Sequence, residues 1–318
     1  MGPLSSTLTR LCCKAPLDGL SIIVHMDITV ALGSGGARGN AHIGVLRRLE
    51  KEGFKIRAIA GTSFGGIVAT MYAAGHTPNE IEDIFSKVDQ SRLYGRSPAE
   101  RPSLLGLIGV RKWLDEVLPN NTFEELPLPC ALAAVDLNCG CEVVLDHGLV
   151  KDALLATIAV PGIFPVFAWE DCELIDGGVL NPVPVSLARE LAPSLPVVAV
   201  TLQTPIGEPA RAIGMPVPSG LPKPILDRLA HFRYAQAFDI FLRSVDVGNR
   251  AVAEYRLAVD KPDVIIRPHV WDIDLLDRVD IREVAQRGEE AVEAVLPELR
   301  RMVNWTSRLR RNFFGGKI

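Results

Sequence analysis

Two short apolar runs, DITVALG at 27–33 and IRAIAG at 56–61, each end in glycine and each give way to an amphipathic stretch. Runs of this length, rich in β-branched and apolar side chains, read as buried strands. Between them Ala41, Val45, Leu46 and Leu49 share one face of a helix from about Ala41 to Glu52, stopped at Gly53. After the second run Phe64, Ile67, Val68, Met71 and Tyr72 recur at i, i+3, i+4, i+7 and i+8, and Gly75 ends that helix. A helical crossover between two such strands makes them parallel, with a right-handed connection. A parallel sheet carries helices on both faces and builds its sites at the carboxyl ends of its strands. Both glycine-rich turns, 33–39 and 61–66, lie at such ends. Neighbouring strands are only about 4.8 Å apart, so the loop SGGARG falls beside the second turn.

The rest of the chain extends this α/β pattern. Residues 78–126 read as mostly helical around an irregular SPAERPSLLGLIG. CALAAVDL (130–137) and CEVVLDHG (141–148) read as strands about a turn, and DALLATIAVPGIFP starts as a helix that breaks at Pro161. CELIDGG is a short strand ending at Asp176, LPVVAVTL (195–202) a buried one and DVIIRP (263–268) a late one. Helices are expected from about Ile225 to Leu257 and from about Ile281 to Arg301. No internal repeat or low-complexity linker divides the pattern, so residues 26–300 read as one domain. Residues 1–25 read as a disordered extension, with Met26 a candidate start.

With 318 residues, 48% of them apolar and 23% charged, the chain can bury a large core. A net charge of −4 argues against a general nucleic-acid binder. There is no run of 18 apolar residues to read as a transmembrane helix, and no signal-peptide pattern. The six cysteines lack zinc spacing and a chain this size needs no disulfide staples, so they read as free thiols of a reducing compartment, the cytoplasm.

The second turn spells G-T-S-F-G: Gly61, Thr62, Ser63, Phe64, Gly65. Glycines two before and two after a serine present its hydroxyl on a sharp strand-to-helix turn. Ser63 is therefore a candidate nucleophile, and it needs a base to take its proton. The first loop admits two readings. A dinucleotide-binding G-x-G-x-x-G starting at Gly33 would need glycine where Arg38 stands, and an acid ending the second strand where Gly61-Thr62-Ser63 stands. The other reading is an oxyanion hole, with the N–H groups of Gly35, Gly36 and Ala37 facing an acyl oxygen. Arg38 then fixes the loop or adds positive field, unless it is a surface ion pair.

None of the histidines has a motif around it. His25 precedes the fold, and His42 is placed on the exposed side of the first helix. His76, His147, His231 and His269 fall after a helix stop, in a turn, in a long helix and after a strand. Asp176 sits at a strand end before Gly177 and Gly178. A partly desolvated carboxylate can accept the proton directly, but Asp-Gly is equally a turn pair. The residues alone leave the base open.

Taken in order, G-S-G-G-A-R-G, G-T-S-F-G and D-G-G resemble the patatin-like phospholipase family, whose motifs are G-G-x-R-G, G-x-S-x-G and D-G-[GA]. The likeness covers about residues 27–300, through AHIGVLRRLE, AVPGIFP and LIDGGVLNPVPV, and is similar to the small single-domain bacterial members. Ser34 stands where many members have a third glycine. The resemblance implies a three-layer α/β fold, with a mostly parallel central sheet and helices on both faces. It implies Ser63 as nucleophile and Asp176 as base, a dyad without histidine. It also implies oxyanion donors at Gly35, Gly36 and Ala37 beside Arg38, with Gly61, Gly65, Gly177 and Gly178 as motif glycines. The implied reaction is hydrolysis of a lipid carboxyl ester, of phospholipase, lysophospholipase or esterase type, through an acyl-enzyme with no metal and no other cofactor. An acyltransferase using the same dyad, or a non-catalytic lipid-binding or regulatory protein, are the alternatives.

Two segments bear on membranes. From Leu299 onward there are six Lys/Arg and no acids, with Leu299, Met302, Val303, Leu309 and Phe313 roughly on one helical face. That tail, taken over 301–318, reads either as an interfacial helix attracted to anionic lipid or as a docked terminal helix with a solvated basic end. Residues 203–224 contain six prolines and read as a lid over an acyl pocket or as an ordinary surface loop. The expected partner is a lipid ester or phospholipid, with peripheral membrane contact.

Overall fold

Alternation along the strands sorts large and small side chains onto opposite faces of one eight-stranded sheet. The computed structural model describes residues 26–89, 92–95, 101–118, 121–208 and 233–303, with 233–239 and 242 described by their backbone alone. Strands β1 (Met26–Leu32), β2 (Phe54–Thr62), β3 (Cys130–Asp136), β7 (Val197–Val200) and β8 (Val264–Ile266) run parallel. β4 (Cys141–Leu145) and β6 (Cys172–Asp176) run antiparallel to β3, and β5 (Phe167–Trp169) antiparallel to β6. The order is β5-β6-β3-β2-β1-β7-β8, with β4 on β3.

Ile28, Val30, Leu32, Ile59, Leu132, Val198 and Val200 belong to the larger core. Over it lie α1 (Ala41–Lys51), α2 (Phe64–Ala73), α3 (Pro78–Ser86), α4 (Ile108–Val117), α5 (Val150–Thr157) and α8 (Ile281–Met302). The opposite face carries Ala31, Ala60, Ala131, Ala133 and Ala199. These small side chains let the short α6 (Val185–Leu191) pack close, beside α7 (Arg233–Asp260), through Val185, Leu187, Ala188 and Leu257. The expected three layers, helix–sheet–helix, are therefore present.

α1 and α8 cross at two glycines. A Cβ on Gly44 would run into the carbonyl of Ala285, and one on Gly288 into that of Ala41. This backbone-to-backbone approach covers the outer side of α1 and corrects the placement of His42, which is fully buried. α8 also carries the tail's first turn, for which one of the two readings is a docked helix. Leu299, Met302 and Val303 are buried in the core, so this turn is docked on the protein. β5 and α6 have no counterpart among the expected elements, and α7 continues three residues beyond Leu257. The extension at 1–25, residues 209–224 of the proline-rich segment, the expected helix start at 225–232, His25, His231, Leu309 and Phe313 lie outside the described residues.

The registers around β3 bring two strand ends together. Leu132 and Ala133 pair with both β2 and β4, so those strands lie on opposite edges of β3. Ala134, Val135 and Asp136 pair with both β4 and β6. β2 and β6 therefore share one edge of β3 and meet carboxyl end to carboxyl end. Thr62 sits opposite Ala133, and Asp176 opposite Ala134, the next residue along.

Candidate functional site

At the end of β2 the chain must reverse from strand to helix within one residue, and Ser63 makes that turn. Its backbone sits at φ 57°, ψ −127°, and α2 starts at Phe64. A left-handed conformation at a non-glycine residue costs about 1–3 kcal/mol and persists only where its surroundings enforce it. Here they do. Gly65 is pressed so closely on the end of β1 that a Cβ there would stand 2.5 Å from the carbonyl oxygens of both Leu32 and Gly33. The Ser63 N–H donates to Thr157 Oγ1 at 2.9 Å.

Ser63 Oγ donates to Asp176 Oδ2 at 2.5 Å. Asp176 arrives from the facing end of β6, and its Oδ1 accepts the Gly178 N–H at 2.7 Å. A side chain on Gly177 would collide with the Ala133 carbonyl, so glycine is required where the β6 end presses on β3. Gly61 likewise lies against the backbone of Gly65 and Gly66. Ser63 and Asp176 are both buried. Burial raises the Asp176 carboxyl to about 6, opposed by its bonds from Ser63 and Gly178. Above that pH Asp176 is a carboxylate already holding the serine proton, and it is basic enough to take it.

The glycine-rich loop leaves β1 and is pinned on both sides. Gly33 N–H donates to Val200 O, and Ser34 N–H to Pro182 O. Ala37 N–H donates to Leu275 O at 2.8 Å, so this group is not free to face an acyl oxygen, which corrects its place in the expected oxyanion set. Among the described residues no partner is found for the N–H of Gly35 or Gly36. The loop then tightens into a 3₁₀ turn over Gly36–Asn40.

His42 Nε2 donates to Gly33 O at 2.7 Å, under the root of this loop. Burial pushes its imidazole down to about 4, so it is neutral near pH 7 and braces the loop. Among the described residues no histidine bonds Ser63 or Asp176. His147 pairs with Asp146, and His269 lies against Trp271.

Arg38 is buried, contrary to a surface ion pair, and its Nε has no hydrogen-bond partner among the described residues. Burial lowers its basicity, while Asp246, Asp274 and Asp277 nearby act the other way.

Two clefts open on Ser63. One is apolar, about 970 Å³ including its open mouth, with Phe64, Ile67, Phe85, Trp113, Phe164 and Leu276 among its walls. The other holds about 660 Å³ including its mouth and is lined by Ser34, Arg38, Asp176, Gln203, Asp246 and Asn249. Thr157, the Leu275 carbonyl and the inner side of α7 carry no mark in the sequence, because nothing local to them signals proximity to Ser63.

Residues 30–189 match the family model described as patatin-like phospholipase. An NTE family protein of Mycobacterium tuberculosis (strain H37Rv) is 34% identical over 187 residues, 58% of this chain and 51% of that protein. Patatin-like phospholipase domain-containing protein 6 of Mus musculus is 26% identical over 181 residues, 54% of this chain and 13% of that protein. The chain thus spans about half the length or less of these curated relatives. Among solved structures, VipD from Legionella pneumophila shares the fold at a TM-score of 0.53 and 11% identity, over 86% of this chain and 67% of that one.

Proposed function

Since the chain belongs to the patatin-like phospholipase family, we propose that it is a serine hydrolase of lipid carboxyl esters that works through Ser63 and Asp176. The observation that carries this reading is the buried 2.5 Å bond from Ser63 Oγ to Asp176 Oδ2. It joins a nucleophile on a strained turn to a carboxylate raised to about 6.

The steps follow from the positions. The substrate acyl chain lies in the apolar cleft and the alcohol portion in the polar cleft beside Arg38. Asp176 Oδ2 takes the Ser63 proton as Oγ bonds to the ester carbonyl carbon. The carbonyl electron pair moves onto oxygen, which the N–H groups of Gly35 and Gly36 receive; one such donor is worth about 10²–10³ in rate. Collapse of this intermediate breaks the ester C–O bond, and the Asp176 proton leaves with the alcohol. Water then gives a proton to Asp176 and attacks the acyl-enzyme. Release of the fatty acid returns the proton to Ser63.

Hydrolysis of p-nitrophenyl butyrate tests this reading. Wild type is expected to turn over, while Ser63→Ala and Asp176→Asn fall to background. A fluorophosphonate adduct is expected on Ser63 by mass spectrometry. Equal rates in wild type and Ser63→Ala, or labelling at another residue, would overturn the proposal. Release of p-nitrophenol that becomes several-fold faster with an added alcohol, with the acyl group recovered as its ester, would redirect it to acyl transfer.

A further inference from the structure

The two dyad residues come from strands that meet end to end on one edge of β3, so something must set the gap between them. We propose that the turn leaving α5, Thr157 to Ala159, is the spacer that sets it, with Thr157 as a positioning residue for the nucleophile. The proposal rests on the acyl-hydrolase reading.

The backbone bonds show how the spacer works. Along the β2–β3 ladder Ile59 N–H donates to Pro129 O at 3.0 Å, and donors in a parallel ladder recur at every second residue. Two steps on, the regular partner of Ser63 N–H is the Ala133 carbonyl. Instead the Thr157 hydroxyl stands between them. It accepts from Ser63 N–H at 2.9 Å and donates to Ala133 O at 2.6 Å.

This inserted hydroxyl holds the end of β2 off β3 while keeping both backbone groups satisfied. Two residues later Ala159 O accepts the Asp176 N–H at 3.0 Å, holding the end of β6. One short segment thus grips the backbones of both Ser63 and Asp176 at the joint between their strands. Thr157 is fully buried, and valine has its shape without the hydroxyl. The segment then continues into the substrate space. Ile158 and Val160 line the apolar cleft, and Val160 and Pro161 the polar one.

The test measures p-nitrophenyl butyrate hydrolysis by the full chain, wild type or carrying Thr157→Val or Thr157→Ser, with rates expressed per fluorophosphonate-titrated site, and by Ser63→Ala with its rate expressed per total protein. A misplacement of this kind costs on the order of 10²-fold in kcat, and Thr157→Val is expected to lose that much with KM unchanged. Thr157→Ser, which keeps the hydroxyl, is expected to recover most of the rate. The acid limb of the kcat profile should also move to higher pH in Thr157→Val, because a displaced Ser63 no longer stabilises the Asp176 carboxylate. A purely structural role would lower thermal stability and leave both the rate per titrated site and the acid limb in place.

Wild-type kcat in Thr157→Val, or equal loss in Thr157→Val and Thr157→Ser, would overturn the proposal. If Thr157→Val does not fold, the same comparison is made between Thr157→Ala and Thr157→Ser. Equal hydrolysis by wild type and Ser63→Ala would instead refute the hydrolase reading itself, and the spacer with it.

Discussion

Replacing Asp176 by asparagine should make the protein more stable, and increasingly so as pH rises. Asp176 is buried and without a cationic partner among the groups that shift it, so its carboxyl stands at about 6 in the fold against 3.8 when unfolded. The folded chain therefore holds this proton more tightly than the unfolded one. Its contribution to stability is complete below pH 3.8 and is lost as pH rises through 6. Linkage puts the resulting penalty at roughly 1–2 kcal/mol at pH 5 and roughly 3 kcal/mol at pH 8.

Asparagine removes that titration and keeps the bonding. Its carbonyl can accept from Gly178 N–H, and its amide can donate to Ser63 Oγ. Any constant offset from the substitution cancels between two pH values. Urea unfolding followed by tryptophan fluorescence, for wild type and Asp176→Asn at pH 5 and pH 8, should show the variant's advantage growing with pH, by on the order of 1 kcal/mol. An advantage that is the same at both values, or that shrinks with pH, would refute the reasoning. It would mean that Asp176 is already ionised at pH 5 and that burial does not govern it.

Other expectations rest on the same site. The kcat/KM profile for an ester should rise with unit slope on an acid limb near pH 6, the value of Asp176 in the free enzyme; a limb near 4 would place the base elsewhere. Gly65→Ala forces a methyl group to 2.5 Å from two carbonyl oxygens. It should cost about 1–3 kcal/mol in a denaturation curve and abolish labelling of Ser63, as overpacking does. His42→Leu leaves the Gly33 carbonyl without its donor and should cost about 1–3 kcal/mol at pH 7. The cost should also shrink as pH falls from 6.5 to 4, because only wild type carries an imidazole that takes up a proton when unfolded and refuses it when buried. A difference between wild type and variant that is the same at pH 6.5 and pH 4 would refute this role for His42.

What was legible in the sequence is what the backbone demands locally. The turn at Ser63 needs glycines within two residues of it, and the loop after β1 needs glycines to bring N–H groups bare to a site. Both demands are written in adjacent letters. The strand and helix patterns on either side are equally local, which is why β1, α1, β2 and α2 stand where the apolar periodicity puts them. His42 failed the same test for a physical reason. A single apolar stripe marks the face of α1 toward the sheet. Burial of its other side comes from α8, some 240 residues away, through contact at Gly44 and Gly288 that has no apolar signature. Ala37 failed likewise, because its N–H is taken by a carbonyl at Leu275.

Asp176, the proposed base, is the more instructive case. Asp176-Gly177-Gly178 looks like a turn and is one: Asp176 Oδ1 caps the Gly178 N–H as a turn aspartate would. Its other oxygen meets Ser63 because β6 runs against the direction of the parallel strands. Its carboxyl end therefore faces that of β2 across one step of β3. Strand direction is not encoded in a five-residue apolar run; it depends on the length and path of the connections around it. From the residues alone Asp176 is equally a candidate base or a turn residue, and family resemblance favours the first. Its contact with Ser63 follows from the neighbouring rungs at Ala133 and Ala134, with the Thr157 hydroxyl standing between Ser63 N–H and Ala133 O. A parallel sheet offers its ligands a row of carboxyl ends side by side. Here one antiparallel strand sets two such ends head to head. That arrangement brings a carboxylate to a buried serine with both backbones held, which is the geometry the proposed pairing of Ser63 with Asp176 requires.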